Sequence, residues 1–181
     1  MEPFHFSTEI FFFLLAIGFI AGLIDSVAGG GGLIALPALL FIGLPPQIAL
    51  GTNKLQGSFG TLSASYNYIR NGQASIKKGW IGIVFTLIGA TSGACLVQIL
   101  DPGVIEPIIP VLLLVVFIYT LFSKKLGISD TTPKMSKLLY FIIFGFILGF
   151  YDGFFGPGTG SFWTVSLMFF IGYNMTKATG Y

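Results

Sequence analysis

The sequence contains little charge. Only 9% of its 181 residues are Asp, Glu, Lys or Arg, whereas soluble globular domains carry about 25%. A chain with so few polar side chains cannot cover the surface of an ordinary water-soluble domain. Its hydrophobic content of 54% also excludes disorder, which requires low hydrophobicity and high charge.

Cysteine and histidine are almost absent. The one cysteine, Cys95, excludes a disulfide framework and a cysteine-rich metal site. It lies in an apolar run, where we expect a small buried side chain. The one histidine, His5, has no metal-binding partner nearby in the sequence. We therefore expect no metal site and no cofactor.

Long hydrophobic runs dominate the sequence instead, as is typical of a polytopic membrane protein. A helix needs roughly 20 apolar residues to cross about 30 Å of hydrocarbon. The sequence predicts an all-α membrane helical bundle with helical segments at 9–24, 33–44, 47–70, 79–100, 104–123, 137–152 and 159–172. Because residues 1–8 contain no Lys or Arg, the first segment is interpreted as a retained helix and not as a signal peptide.

Two of these segments, 33–44 and 159–172, are short and follow glycine breaks. The first break is the run Gly29, Gly30, Gly31 and Gly32, and the second is Gly156-Pro157-Gly158. A stretch of 12 residues, ended by Pro45 and Pro46, is too short to span a bilayer. We interpret segment 33–44 as a half-helix.

Basic residues are concentrated in two loops. Seven of the nine Lys and Arg residues lie in loops 70–78 and 124–137, so the positive-inside rule predicts that both loops are cytoplasmic. The loop after position 100 contains Asp101 and Glu106 and no base. If segment 33–44 crosses the membrane, the N-terminus lies outside; if it re-enters, the N-terminus lies inside.

The chain also resembles itself. Gly22–Asp25 matches Gly149–Asp152 at a shift of 127 positions, and after a two-residue insertion the pairs continue as Ile42/Ile171, Gly43/Gly172, Ala49/Ala178 and Gly51/Gly180. The first copy begins on the first helix and the second on the sixth, and an offset of five crossings reverses direction. The sequence therefore predicts an inverted-topology repeat, with a first repeat over 1–125, of about five helices, and a second over 137–181.

The second repeat is expected to be incomplete. The counterpart of Lys54 would fall about two positions beyond Tyr181. If both copies are of equal length, the expected protein has roughly 250–260 residues, and we expect residues 1–181 alone to be inactive.

Two carboxylates, Asp25 and Asp152, lie at membrane depth or at its interface. A charge at that depth costs several kcal/mol, so a charged residue there is expected to have a function. Either carboxylate could couple a proton to transport. The alternative is that each caps the broken helix that follows it by accepting hydrogen bonds from backbone N–H groups. Both roles are compatible.

The glycine breaks predict an anion site. Unwound backbone at membrane depth survives only where it lines protein or a cavity. A helix that begins there presents free N–H groups and the positive end of its dipole. Gly29 to Gly32, Gly156 and Gly158 are therefore candidate substrate-binding residues. The alternative is a tight hairpin that only allows close packing.

Lys54 is the one base well inside a helical segment that precedes the charged loops. It forms a polar cluster with Thr52 and Asn53, and Ser58, Thr61 and Ser65 continue its stripe along one helix face. We include Thr52, Asn53 and Lys54 among the substrate-binding residues. The alternative is that Lys54 snorkels to the interface. In segment 79–100, the pair Gly89 and Gly93 predicts helix packing.

These residues resemble the sulfite exporter TauE/SafE family. The resemblance is carried by Ala21–Pro37, which includes Asp25 and the first glycine break, by Ala49–Gln56 with Asn53 and Lys54, and by Gly149–Pro157 with Lys177–Thr179 in the second half. It extends over essentially the whole chain. It implies a bacterial inner-membrane protein that moves small sulfur anions such as sulfite or a sulfonate. It also implies further C-terminal helices, which we expect residues 1–181 to lack.

Two functions are weighed. The favoured one is a secondary carrier for a small anion, with the lipid bilayer, the anion and a coupling proton as its partners and no nucleic acid. The alternative is a non-transporting membrane subunit or an inactive fragment of such a carrier. An enzyme is not expected, because the sequence contains no His cluster, no Ser/His/Asp set and no metal-ligand spacing.

Overall fold

The computed structural model describes residues 7–27, 29–122 and 130–181. His5, Lys124 and Lys125 lie outside the described residues. Within them the chain is all-α, as predicted. Its helices are α1 (Thr8–Val27), α2 (Gly32–Phe41), α3 (Pro46–Arg70), α4 (Ile76–Ile99), α5 (Pro102–Phe122), α6 (Lys137–Phe154), α7 (Thr159–Ser166), a π-helical turn (Leu167–Ile171) and α8 (Met175–Gly180).

Four of these helices are long and apolar enough to cross a membrane. The qualifying stretches are Thr8–Ser26, Gly79–Ile99, Pro102–Tyr119 and Lys137–Phe154. Their outer faces expose large apolar side chains, including Phe19, Leu87 and Val111. An apolar exterior of this extent suits lipid and not water. The prediction of a polytopic membrane protein is confirmed.

Cys95 is not buried. Its side chain lies on the exposed face of α4, in line with Ile88 and Ile99, which are also exposed. The sequence-based expectation was wrong because the outer surface of a membrane helix is as apolar as a protein core, so an apolar neighbourhood does not indicate burial.

Glycines set the ends of the short helices. Gly29 (φ +64°) and Gly156 (φ +97°) adopt left-handed conformations in the two breaks, and Gly43 (φ +84°) and Gly172 (φ +74°) do so after α2 and after the π-helical turn. Glycine takes these dihedral angles without steric cost. Pro46 then begins α3, and Asn174 caps α8 by accepting a hydrogen bond from the Lys177 N–H at 3.0 Å. The sequence did not predict α8 as a separate helix.

The direction of each helix follows from its contacts. Gln47 Nε2 donates to the Leu100 carbonyl at 3.2 Å, which brings the start of α3 to the end of α4, so these two helices are antiparallel. Gln56 Nε2 donates to the Gly18 carbonyl at 3.3 Å, and a Cβ on Gly60 would lie 2.9 Å from the Asp25 Cβ. Later residues of α1 therefore meet later residues of α3, and the two helices are parallel.

Helix α6 is parallel to α4 and packs closely against it. A Cβ on Gly89 would collide with the backbone of Phe146, and a Cβ on Gly93 would collide with the backbone of Phe150, so later residues of α4 meet later residues of α6. Small residues allow this approach of the two backbones. The packing interpretation of the glycines in α4 is confirmed. Helix α1 is parallel to α3, and α6 is parallel to α4. Because α3 and α4 are antiparallel, α1 and α6 run in opposite directions.

Helices α2 and α7 turn back along α1 and α6. Tyr140 Oη lies 2.6 Å from Ser166 Oγ, and the Lys134 N–H donates to the Phe170 carbonyl at 2.9 Å, so α7 returns to the end where α6 begins. We name that end the Arg70 end, because α3 also finishes there, and the opposite end the Pro46 end. The free ends of the pair α1–α2 lie toward the Pro46 end. The free ends of the pair α6–α7 lie toward the Arg70 end.

An apolar cluster fills the Pro46 end. It contains Leu36 and Leu39 of α2, Leu50 of α3, Val97 of α4 and Ile105 of α5, all buried. Burying apolar surface contributes about 25 cal/mol per Å² in water. We name the turn between α1 and α2, and the turn between α6 and α7, the tips of the two helix pairs. The cluster fills the space between these tips and the Pro46 end.

Candidate functional site

The tips of the two helix pairs meet inside the bundle. A Cβ on Gly29 would lie 3.0 Å from Gly160 Cα, and a Cβ on Gly32 would lie 3.4 Å from Pro157 Cα. At 3.0 Å the Cβ of any other residue at position 29 would crowd the Gly160 backbone, so a glycine there lets the two backbones approach this closely. The two glycine breaks are far apart in sequence and adjacent in space.

Between the tips lies a cavity of about 350 Å³, which we name the tip cavity. Nine of the eleven residues predicted for the site line it: Asp25, Gly29, Gly30, Gly32, Asn53, Lys54, Asp152, Gly156 and Gly158. The other two do not. Gly31 lies behind the Asp25 carboxylate, and Thr52 is exposed on another face of α3.

Asp25 caps the start of α2. Its Oδ1 accepts hydrogen bonds from the Gly30 N–H at 3.1 Å and the Gly31 N–H at 2.8 Å. These N–H groups were expected to be free for a substrate. The protein's own carboxylate occupies them. It accepts hydrogen bonds from N–H groups that have no partner within the helix, and its negative charge interacts favourably with the positive end of the helix dipole.

Asp152 holds the matching position in the second copy and makes a different contact. Its Oδ1 lies 2.8 Å from Lys54 Nζ. Asp25 accepts from the fifth and sixth residues after it, but the fifth residue after Asp152 is Pro157, which has no N–H. The capping bond of the first copy therefore cannot be repeated in full, and the carboxylate turns to α3.

Lys54 reaches into the tip between α6 and α7. A Cβ on Gly156 would collide with its Nζ and lie 2.8 Å from its Cε. The ammonium is thus near the end of α6, where the helix dipole favours a positive charge. The sequence predicted Lys54 as a substrate-binding residue and did not indicate a partner for its charge. In the structure Asp152 neutralises it.

Asn53 is the most deeply placed polar side chain of the tip cavity. It is only 6% exposed, and its Oδ1 has no hydrogen-bond partner within the described part of the chain. A Cβ on Gly32 would lie 3.0 Å from its Nδ2. A buried polar atom left unpartnered costs about 1–3 kcal/mol, so this side chain is poised for a ligand or a water molecule.

Several residues of the cavity wall were not predicted from the sequence. Ser58 and Thr61 were noted on the Lys54 stripe but not assigned to the site, and Thr86 of α4 was not assigned to it either. Thr159 and Trp163 of α7 were not singled out at all; the wall contains all five. The position of Thr159 directly after the second break was a usable signal, whereas nothing in the sequence marked Trp163.

A second cavity, of about 170 Å³, continues from the tip cavity toward the Arg70 end, and we name it the vestibule. It shares Asp25, Gly29, Thr61, Gly160 and Trp163 with the tip cavity and extends along Ser65 and Tyr68 to α8. On the opposite side the apolar cluster closes the bundle. The site therefore opens toward the Arg70 end.

The segment before α6 is tied to α8. Asp130 forms an ion pair with Lys177 and accepts a hydrogen bond from the Asn174 N–H at 2.8 Å. The hydrogen bond from Lys177, followed by that from Asn174, lowers the pKa of Asp130 below its usual range. This contact fixes the position of the α7–α8 junction at the Arg70 end.

Comparison with known proteins places the chain in a family. Residues 14–181 match the family described as sulfite exporter TauE/SafE. The chain is 42% identical to a "Probable membrane transporter protein" of Haemophilus influenzae over 93% of this chain and 66% of that protein. It is also 42% identical to the "Probable membrane transporter protein YfcA" of Escherichia coli K12, over 93% of this chain and 62% of that protein.

A more distant relative, from Methanocaldococcus jannaschii, is 31% identical over 81% of this chain and 57% of that protein. No solved structure matches the chain significantly. The chain spans less than two thirds of the length of these relatives. The family assignment extends over all the helices that form the tip cavity, and the chain belongs to the sulfite exporter TauE/SafE family.

Proposed function

We propose that this chain forms the substrate site of a membrane carrier for a small anion, which it moves without covalent chemistry. The observation that carries the proposal is the meeting of two broken helix pairs around a cavity that contains Lys54. Discontinuous helices at the centre of a bundle are a common construction of carrier sites.

The two helix pairs support an inverted-topology repeat. Helices α1–α2 and α6–α7 enter from opposite ends, and left-handed glycines occupy corresponding positions in both. We assign the first repeat to 1–125 and the second to 137–181. In such carriers one repeat moves against the other around a fixed site, so each end gains access in turn.

Anion recognition would use full and partial positive charges together. Lys54 supplies the ammonium, and the start of α7 supplies the positive end of a helix dipole. Asn53 and the hydroxyl groups of Ser58 and Thr159 add polar contacts at the wall. The family's description and this size of cavity favour a small sulfur-containing anion such as sulfite or a sulfonate.

A coupling proton is part of the proposal. With Asp25, Asp152 and Lys54 all ionised, the tip cavity carries a net charge of −1. Adding an anion to such a site in a low-dielectric surrounding is costly. Protonation of one carboxylate removes that cost, so we assign Asp25 or Asp152 as the group that takes up a proton when the anion binds.

The orientation follows from the basic loops. Loop 70–78 and residues 130–137 of the second basic loop lie at the Arg70 end, which we place in the cytoplasm of a bacterial cell, with the protein in the inner membrane. Because α1 begins at the Pro46 end, the N-terminus lies outside. The vestibule would then give cytoplasmic anions access to the site.

The test is uptake of radiolabelled sulfite by proteoliposomes that contain the full-length carrier. Lys54→Gln keeps a polar side chain of similar length and removes the charge. A charge-assisted hydrogen bond is worth about 1.5–3 kcal/mol, which corresponds to a roughly ten- to 150-fold loss of apparent affinity. The matched control is Lys77→Gln, which changes an exposed lysine at the start of α4. Equal uptake by the two variants would contradict the proposal.

A further inference from the structure

We propose that Asp152 is a built-in competitor of the substrate: its carboxylate occupies Lys54 in the empty site, and the transported anion replaces it there. This inference rests on the proposed anion function of the tip cavity. It adds that the site binds one anion at a time on Lys54, either its own carboxylate or the substrate.

The two carboxylates of the site differ in how they are held. Asp25 is fixed by two backbone N–H groups on its own helix pair. Asp152 is held by Lys54, at 2.8 Å, and its side chain remains 39% exposed. A half-exposed carboxylate with one mobile partner can leave that partner at low cost. Asp152 is therefore the exchangeable anion, and Asp25 is the fixed one.

Charge explains why the two anions exclude one another. The charged groups that face Asp152 across the tip cavity are Lys54 from α3 and Asp25 from α1. Helices α4 and α7 present Thr86, Thr159 and Trp163, which are uncharged. A bound substrate beside both ionised carboxylates would place three negative charges around one ammonium. Moving Asp152 away from Lys54, or protonating it, relieves this repulsion.

The exchange also has a mechanical consequence. The ion pair joins α3, which belongs to the first repeat, to the end of α6, at the tip of the second helix pair. Replacing Asp152 with a free anion removes this tie. Substrate binding would then release the contact that holds α3 against the second helix pair in the arrangement open to the Arg70 end.

The experiment measures binding of methanesulfonate to the purified protein across the acidic to neutral pH range. This probe is the anion of a strong acid, so its own charge does not change with pH. Asp152→Asn has the same shape and cannot compete. We expect it to bind methanesulfonate about tenfold more tightly than the wild-type protein at neutral pH and with little dependence on pH. The wild-type protein should bind more tightly as the pH falls.

Asp101→Asn is the matched control, because it removes an exposed carboxylate that lies outside the tip cavity. It should keep the pH dependence of the wild-type protein. Equal or weaker binding by Asp152→Asn, while Lys54→Gln abolishes binding, would overturn the competitor role and leave the anion site standing. Unchanged binding by Lys54→Gln would overturn the proposed anion site itself. If Asp152→Asn does not fold, pH-independent binding by the wild-type protein also overturns the exchange.

Discussion

Gly156 provides a substitution that disturbs Lys54 without greatly changing the packing around it. The residue has φ +97°, so alanine there adopts an unfavourable left-handed conformation. Its new Cβ would also collide with Lys54 Nζ and lie 2.8 Å from Cε. Because these atoms form the far end of a flexible side chain, Lys54 can move aside. Its ammonium then leaves its position beside Asp152 at the tip of the α6–α7 pair.

Gly43→Ala is the matched control. Gly43 has φ +84°, and a Cβ on it would have no neighbour within 4 Å. A left-handed conformation costs a residue with a Cβ roughly 1–2 kcal/mol. Both variants should therefore lose about this much stability, whereas only Gly156→Ala should change the site.

The assay combines thermal unfolding in detergent with binding of methanesulfonate. We expect similar decreases in melting temperature for both variants, and an affinity about tenfold lower for Gly156→Ala alone, the equivalent of about 1.4 kcal/mol. If Gly43→Ala weakens binding as much as Gly156→Ala, backbone strain accounts for the effect, and the argument that Gly156 positions Lys54 is refuted.

The remaining predictions concern packing, pH and access. Gly153→Ala should destabilise the protein by about 1–3 kcal/mol because its Cβ meets the α4 backbone, whereas Gly51→Ala, in open space within α3, should stabilise it by about 0.5–1 kcal/mol; chemical unfolding compares them. Pairing with Lys177 lowers the pKa of Asp130, so its stabilisation is present at neutral pH and lost as the pH falls through that lowered pKa. The melting-temperature difference between the wild-type protein and Asp130→Asn should therefore shrink in acid, and a constant difference would contradict this. Ser65→Cys, in a cysteine-free background, should react with an impermeant thiol reagent from the cytoplasmic side and be protected by methanesulfonate, which does not consume the reagent; labelling from outside alone would contradict the orientation.

The helices were predictable because hydropathy and helix-ending glycines and prolines are local signals. Each of the seven predicted segments corresponds to a helix, and α3 begins within one residue of its expected position. The same local signals located the two breaks. The short α8 was not predicted, because six residues carry too little periodicity to define a helix.

The sequence predicted which residues form the candidate site but not which of them contact one another. The repeat identified Asp25 and Asp152 as equivalent positions, and their equivalence suggested equal roles. The two carboxylates differ in their contacts because of a single difference between the copies, Pro157 in place of a glycine. Proline has no N–H, so Asp152 lacks one of the hydrogen bonds that hold Asp25. The contact between Asp152 and Lys54 depends on how α3 lies against α6, which no local pattern specifies. Trp163 reaches the cavity for the same reason.

The central claim is that a small anion binds between the two helix-pair tips, and selenite tests it most directly. Selenite is a heavier analogue of sulfite, and its selenium can be located by anomalous diffraction from crystals of the Cys95→Ser variant, because selenite would react with the exposed Cys95 thiol. The account predicts a selenium peak in the tip cavity, between Gly29–Gly32 and Gly156–Gly160, within hydrogen-bonding distance of Lys54 Nζ and with Asp152 turned away. A selenium peak elsewhere, or Asp152 still paired with Lys54 beside an empty tip cavity, would contradict it.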